Sequence, residues 1–157
     1  MRVGIGFDVH RFINGRPLIL GGVNIPFEMG LEGHSDADVL THSIIDAMLG
    51  AVAEGDLGYY FPDTDEQFKG ISSLELLKDA VRILENKGYR LSNIDVIAIL
   101  ERPKLAPYRQ QMREIIAKIT GLDISKVSIK ATTTEGLGFT GRGEGIASQA
   151  VVLVEEI

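Results

Sequence analysis

The chain has 157 residues, 45% of them hydrophobic and 24% charged, with a net charge of −6, three histidines and no cysteine. That length suits one domain with a substantial core, and an acidic balance without any basic run argues against nucleic acid or an anionic membrane as partner. Absent cysteine excludes disulfides and thiolate ligands. With no leader-like segment after Met1 and no apolar run near the ~20 residues a bilayer crossing needs, a soluble cytoplasmic protein is expected.

Residues 2–12 alternate as a strand, with Phe7 and Val9 on one face and Asp8 and His10 on the other. Pro17 to Leu20 and Val23 to Phe27 flank Gly21-Gly22 and read as a hairpin. A helix is predicted from about Asp36 to Ala53, with Ser35 as N-cap and Asp38 in a capping-box position. Its apolar stripe is Val39, Leu40, Ile44, Ala47, Met48 and Ala51. Glu54 to Gly58 forms a turn, and residues 59–65 an irregular loop. A second helix starts at Ser72 or Ser73 and stops at Gly88, and residues 89–100 form a strand. Pro103 and Pro107 bracket a loop, and a third helix runs from about Tyr108 to Thr120. Val127 to Thr132 and Ile146 to Val154 are strands around a glycine-rich loop over 133–145. This order is neither a βαβ alternation nor all-helical. It predicts an α+β fold, a mixed or antiparallel sheet with helices packed on one face.

All the histidine lies in the first 42 residues, as His10, His34 and His42. Asp8 and His10 share a strand face, about 6–7 Å apart at Cα, and His42 on the following helix is positioned to join them. An Asp, His, His set with an open position describes a catalytic zinc site, with Asp38 or Asp46 to orient His42 through its second nitrogen. An isolated D-x-H reads more readily as two exposed strand residues, with His42 a satisfied core histidine; the clustering of every histidine reverses that balance. His34, just before the helix, is placed for an anion. A second constellation is Lys130 to Gly145, where Thr132, Thr133, Thr134 and Glu135 precede five glycines in ten residues. Such hydroxyls and amides suit phosphate oxygens, and Glu135 suits a divalent cation on a diphosphate; a turn-rich connection explains the composition as well.

These residues have a family signature. Asp8-Val9-His10, His34-Ser35-Asp36-Ala37-Asp38, His42, Gly55-Asp56-Leu57-Gly58, Phe61-Pro62-Asp63-Thr64-Asp65, Pro103-Lys104-Leu105 and Lys130 through Ala147 together resemble the 2-C-methyl-D-erythritol 2,4-cyclodiphosphate synthase family. The resemblance covers essentially the whole chain, with Ala37 and Leu57 where other members often have Gly and Ile. It implies a homotrimer with sites between adjacent subunits, acting on a cytidyl diphosphate substrate. Asp8, His10 and His42 are then zinc ligands, with Asp8 and His10 also touching substrate. His34 and Ser35 contact phosphate, and His34 and Thr133 stabilise the transition state. Glu135 holds Mg²⁺ or Mn²⁺. Leu100, Glu101, Arg102, Pro103, Lys104, Leu105 and Ala106, with Thr132, Thr133 and Thr134, hold the nucleotide. Asp56, Leu57 and Gly58 meet sugar hydroxyls, Phe61, Pro62, Asp63, Thr64 and Asp65 close over the site, and Phe139 and Arg142 lie near the threefold axis or substrate. Two rivals use the same residues: a zinc phosphohydrolase with water as nucleophile, and a binding protein with a structural metal.

Overall fold

The computed structural model describes all residues, Met1–Ile157. Seven strands are present: β1 (Arg2–Ile13), β2 (Leu18–Leu20), β3 (Val23–Ile25), β4 (Gly30–Leu31), β5 (Tyr89–Ile99), β6 (Val127–Thr132) and β7 (Gly145–Glu156). Five helices accompany them: α1 (Val39–Ala51), α2 (Leu57–Tyr60), α3 (Ser73–Asn86), α4 (Arg109–Thr120) and α5 (Gly138–Gly141). The main sheet has the order β4-β1-β7-β5-β6, and β2 and β3 form a separate hairpin. Only β5 and β6 run parallel, joined through α4; β1, β7 and β5 are antiparallel neighbours. The sheet is therefore mixed, and α1, α3 and α4 all pack on one side of it.

Strand alternation explains the two faces. Ile94, Val96 and Ala98 of β5, Ala150, Val152 and Val154 of β7, and Val127 and Ile129 of β6 point to the helices and are buried. The opposite face carries Val3, Ile5, Phe7 and Val9 of β1 and Val151 of β7, from 41% to 66% exposed. Beneath α1 the strand is reduced to Gly4 and Gly6. A Cβ at Gly4 would lie 1.8 Å from the carbonyl oxygen of Ala47, and one at Gly6 would lie 2.0 Å from that of Ser43. Helix and strand therefore meet backbone to backbone, as glycine alone permits.

The boundaries differ from expectation in five places. Helix α1 starts at Val39, capped by Asp38 rather than Ser35: the Asp38 carboxylate accepts the Thr41 amide, and Ala37 has φ 58°, a left-handed conformation no helix can include. It ends at Ala51, since Ala53 is also left-handed at φ 59°. The loop after Gly58 is partly helical, because Asp56 caps the single turn of α2. The glycine-rich loop likewise contains α5, and the two-residue β4, paired to the end of β1, is too short to show in an apolar pattern.

Candidate active site

Asp8 and His10, two apart on the helix-facing side of β1, meet His42 from α1. The Asp8 Oδ2 is 3.0 Å from His10 Nε2 and 3.1 Å from His42 Nδ1, and the two ring nitrogens are 3.3 Å apart. The outer nitrogens fix what these atoms are. His10 Nδ1 lies 2.7 Å from the carbonyl oxygen of Glu32, which only accepts, so that nitrogen bears the proton. His42 Nε2 lies 2.8 Å from the Ser73 hydroxyl, whose own proton is donated to the Asp36 carboxylate. Ser73 therefore accepts from His42, and the Ser35 hydroxyl flanks the same nitrogen at 3.2 Å. Two imidazole lone pairs and a carboxylate are thus turned toward one point, an arrangement that asks for a cation. Their spacing matches the ~3.3 Å edge of a tetrahedron around an ion bonded at about 2.0–2.1 Å, so the trio fits zinc, with a fourth position left open. The electrostatics agree. Burial pushes the Asp8 carboxyl up, but His10 and His42 overrule it and hold it at about 2. Burial pushes the His10 imidazole down, and the Asp8 carboxylate more than reverses this.

Neither aspartate expected beside His42 orients it. Asp38 is fully buried and accepts from the Gly21, Gly22 and Thr41 amides and the Thr41 hydroxyl, tying α1 to the β2–β3 turn. Asp46 accepts the Leu57 amide at 2.7 Å, which anchors α2 instead. Ser73, and behind it Asp36, orient His42 instead; in the sequence Ser73 offered only a Ser-Ser helix start, and Asp36 only its place in the His34–Asp38 motif.

A cavity of about 360 Å³ opens beside the trio, and His34, Ser35, Leu57, Gly58, Phe61, Pro62 and Asp63 line it. His34 Nε2 donates to the Asp65 carbonyl at 3.0 Å, and its own carbonyl accepts the Gly70 amide. Asp56 caps α2 through Oδ1, accepting the Tyr59 amide, and neither it nor Thr64 is among the cavity walls. A second cavity of about 270 Å³ is formed by Leu100, Glu101, Pro103, Lys104, Leu105 and Ala106 against Thr132 and Thr133. Arg102 leaves this group: its guanidinium pairs with Glu28 and lies 5.6 Å over the Phe27 ring. Glu101 accepts the Thr134 amide, while Glu135 stands exposed at φ 54°. Phe139 borders a third cavity with Val9 and Phe12, and Arg142 pairs with Glu144. The metal cavity and the 100–106 cavity share no residue.

A three-residue candidate cation site opening onto a cavity that holds His34 and Ser35, on an α+β sheet covered by helices on one side, is the arrangement of an enzyme active site. Comparison with known proteins narrows the class. A family model described as YgbB family matches residues 1–155, and the chain belongs to that family. A 2-C-methyl-D-erythritol 2,4-cyclodiphosphate synthase of Desulfitobacterium hafniense is 59% identical over 157 residues, covering 100% of this chain and 99% of its own. Among solved structures, the bifunctional IspDF from Campylobacter jejuni superposes with a TM-score of 0.96 at 47% identity, over 99% of this chain and 42% of that one. A 2C-methyl-D-erythritol-2,4-cyclodiphosphate synthase in a CDP-bound form superposes at 0.90 with 36% identity, over 98% of this chain and 100% of that one.

Proposed function

We propose that this chain, as one catalytic domain over residues 1–157, converts 4-diphosphocytidyl-2-C-methyl-D-erythritol 2-phosphate to 2-C-methyl-D-erythritol 2,4-cyclodiphosphate with release of CMP. This is a lyase step of non-mevalonate isoprenoid precursor synthesis. The observation that carries the reading is the opening of Asp8, His10 and His42 onto the cavity that also holds His34 and Ser35, in a chain alike over its full length to synthases of that name.

In the reaction an oxygen of the substrate's 2-phosphate forms a bond to the β-phosphorus. The bond from that phosphorus to the bridging oxygen breaks, and CMP departs with the oxygen and its electron pair. A phosphate monoester is largely ionised near neutral pH, so no protein group has to remove a proton. The work left to the chain is to align two anions and offset their repulsion. Asp8, His10 and His42 would hold zinc, which would supply positive charge and Lewis acidity at this end of the cavity. Glu135, whose carboxylate is exposed, would suit Mg²⁺ or Mn²⁺, which would offset charge on the diphosphate. His34, Ser35 and Thr133 bind and orient phosphate; Asp56, Leu57 and Gly58 bind the sugar hydroxyls; residues 61–65 cover them. The 100–106 segment and residues 132–134 receive the cytidine nucleotide, and Phe139 and Arg142 approach the substrate or the threefold axis.

The site is built between subunits of a homotrimer in this reading. Its support is twofold: the metal cavity and the nucleotide cavity have no residue in common, and the sheet face away from the helices is apolar and bare. No helix is long and apolar enough to cross a membrane, and a chain without cysteine suits the cytoplasm.

Oxygen labelling tests the chemistry. In ¹⁸O-enriched water the purified, zinc-loaded protein should yield unlabelled CMP and an unlabelled cyclic diphosphate, because the nucleophile belongs to the substrate. Label in a linear phosphorylated product, formed in step with CMP, would identify a hydrolase and defeat the proposal.

A further inference from the structure

Arg16, in the turn between β1 and β2, sends Nη1 to the carbonyl oxygen of Gly33 and Nη2 to that of Ser35, both at 2.5 Å. The two carbonyls flank His34. A guanidinium held by neutral carbonyls instead of a carboxylate keeps its full charge, and half-burying it that way is costly where a neutral donor would pin a loop as well. Here the charge stands directly behind Gly33, His34 and Ser35, which wall the cavity assigned above to the substrate phosphates.

We propose that Arg16 is a positioning residue for phosphate binding, acting through the backbone of residues 33–35; the proposal rests on the reading of that cavity as the phosphate site. In a trans peptide the carbonyl and the next amide point in opposite directions. With the Gly33 carbonyl turned to Arg16, the His34 amide is turned away from it, and neither that amide nor the amide of Ser35 has an acceptor within the chain. The opposite side of the segment is held by residues 70 and 71: Gly70 donates to the His34 carbonyl, and Asp36 donates to the Ile71 carbonyl. His34 is thus strung between two supports, its ring clamped through Nε2 to the Asp65 carbonyl. Arg16 is the only cation among these supports, and it sets both the direction of the amide and the place from which the imidazole starts. A guanidinium behind the Gly33 carbonyl also polarises that peptide unit, which makes the His34 amide a better donor to an anion, while the amide paired with the Ser35 carbonyl, that of Asp36, is taken by Ile71.

Arg16→Ala and Arg16→Lys, zinc-loaded, are compared with the wild type in three measurements. First, CMP release from the synthetic cytidyl substrate should fall about ten- to a hundredfold in kcat for Arg16→Ala, with one zinc per chain retained, since small displacements of a positioning group cost that much. Millimolar guanidinium should restore part of the rate, and Arg16→Lys, a point charge that cannot bridge two carbonyls, should recover less than the arginine. Second, ¹⁵N spectra of the imidazoles, simple with three histidines, should show a single Nε2–H tautomer for His34 in the wild type and a mixture in Arg16→Ala. Third, inorganic pyrophosphate should bind Arg16→Ala about tenfold more weakly. Wild-type turnover by Arg16→Ala, or an unchanged His34 spectrum and pyrophosphate affinity in the folded variant, would overturn the assignment. If Arg16→Ala does not fold, Arg16→Lys decides on the same readouts. If the wild type releases no CMP, the reaction is misassigned, and the spectra and pyrophosphate binding still decide the role of Arg16.

Discussion

His42 is turned toward Asp8 and His10 by atoms on another helix. The relay from its Nε2 to Ser73 and on to Asp36 commits the ring proton outward, so the Nδ1 lone pair faces Asp8 and His10. Residues behind a ligand tune the metal by roughly ten- to a hundredfold in affinity. Ser73→Ala should therefore keep the fold and lose zinc about that much more readily to a chelator. His42→Ala should lose it outright, and His34→Ala should keep full zinc while losing rate; metal analysis of the three variants checks the order. The expected partners of His42 were Asp38 and Asp46, because four-residue spacing puts them on its side of a helix. Spacing within one helix says nothing of what a neighbouring helix brings, and Asp38 proved to be the cap rather than a residue of the first turn. Ala37 makes a related point. At φ 58° it occupies a conformation that a Cβ disfavours by roughly 1–2 kcal/mol, and the resemblance places glycine there in other members. Ala37→Gly should leave activity intact and raise stability by about 1 kcal/mol, less the entropy the unfolded glycine gains, as read by denaturant unfolding.

At the scale of elements, the contact of α1 with β1 sets how Asp8, His10 and His42 meet. Asp8 and His10 belong to the strand and His42 to the helix, and Gly4 and Gly6 allow the two backbones to touch. A Cβ at Gly6 meets a carbonyl oxygen that no side-chain rotation can move. Gly6→Ala should force the helix outward, costing about 1–3 kcal/mol or more in stability, and should weaken zinc binding although no ligand is altered. Unfolding and metal retention measured on the same sample would separate this from a purely local defect, in which zinc affinity of the folded protein stays at the wild-type value. In the sequence these glycines look like weak points of a strand. Their role as a seat for α1 depends on which helix lands there, and alternation along the strand cannot reveal that.

For the molecule as a whole, the sheet face opposite the helices is the unfinished part. Val3, Ile5, Phe7, Val9 and Val151 present a row of large apolar side chains to water, a patch of the kind that marks an interaction surface. Light scattering should give three times the chain's 17.1 kDa, and Ile5→Asp with Phe7→Asp should lower that mass and abolish activity together. A monomeric wild type with full activity would contradict a shared site. Mixed assemblies supply the sharper test. A His42→Ala chain and a Thr133→Ala chain, each deficient alone, should on statistical mixing recover roughly a quarter of the wild-type rate, since each site takes one half from each neighbour.

Much of this protein was determined locally. The α+β class, the three longer helices, the long strands and the residue types of the Asp8, His10 and His42 trio follow from apolar periodicity, caps and the crowding of histidine into the first 42 residues, all of them legible along the chain. Long, specific motifs carried the family. Other features waited for the tertiary structure: the left-handed Ala37 that delays α1, the pairing of His42 with Ser73, the diversion of Arg102 to Glu28 and Phe27, and the hold of Arg16 on the carbonyls around His34. Each of these joins residues distant in the chain through one or two directional contacts, which leave no periodic trace. They are decided only when the packed sheet and helices fix where each donor and acceptor ends.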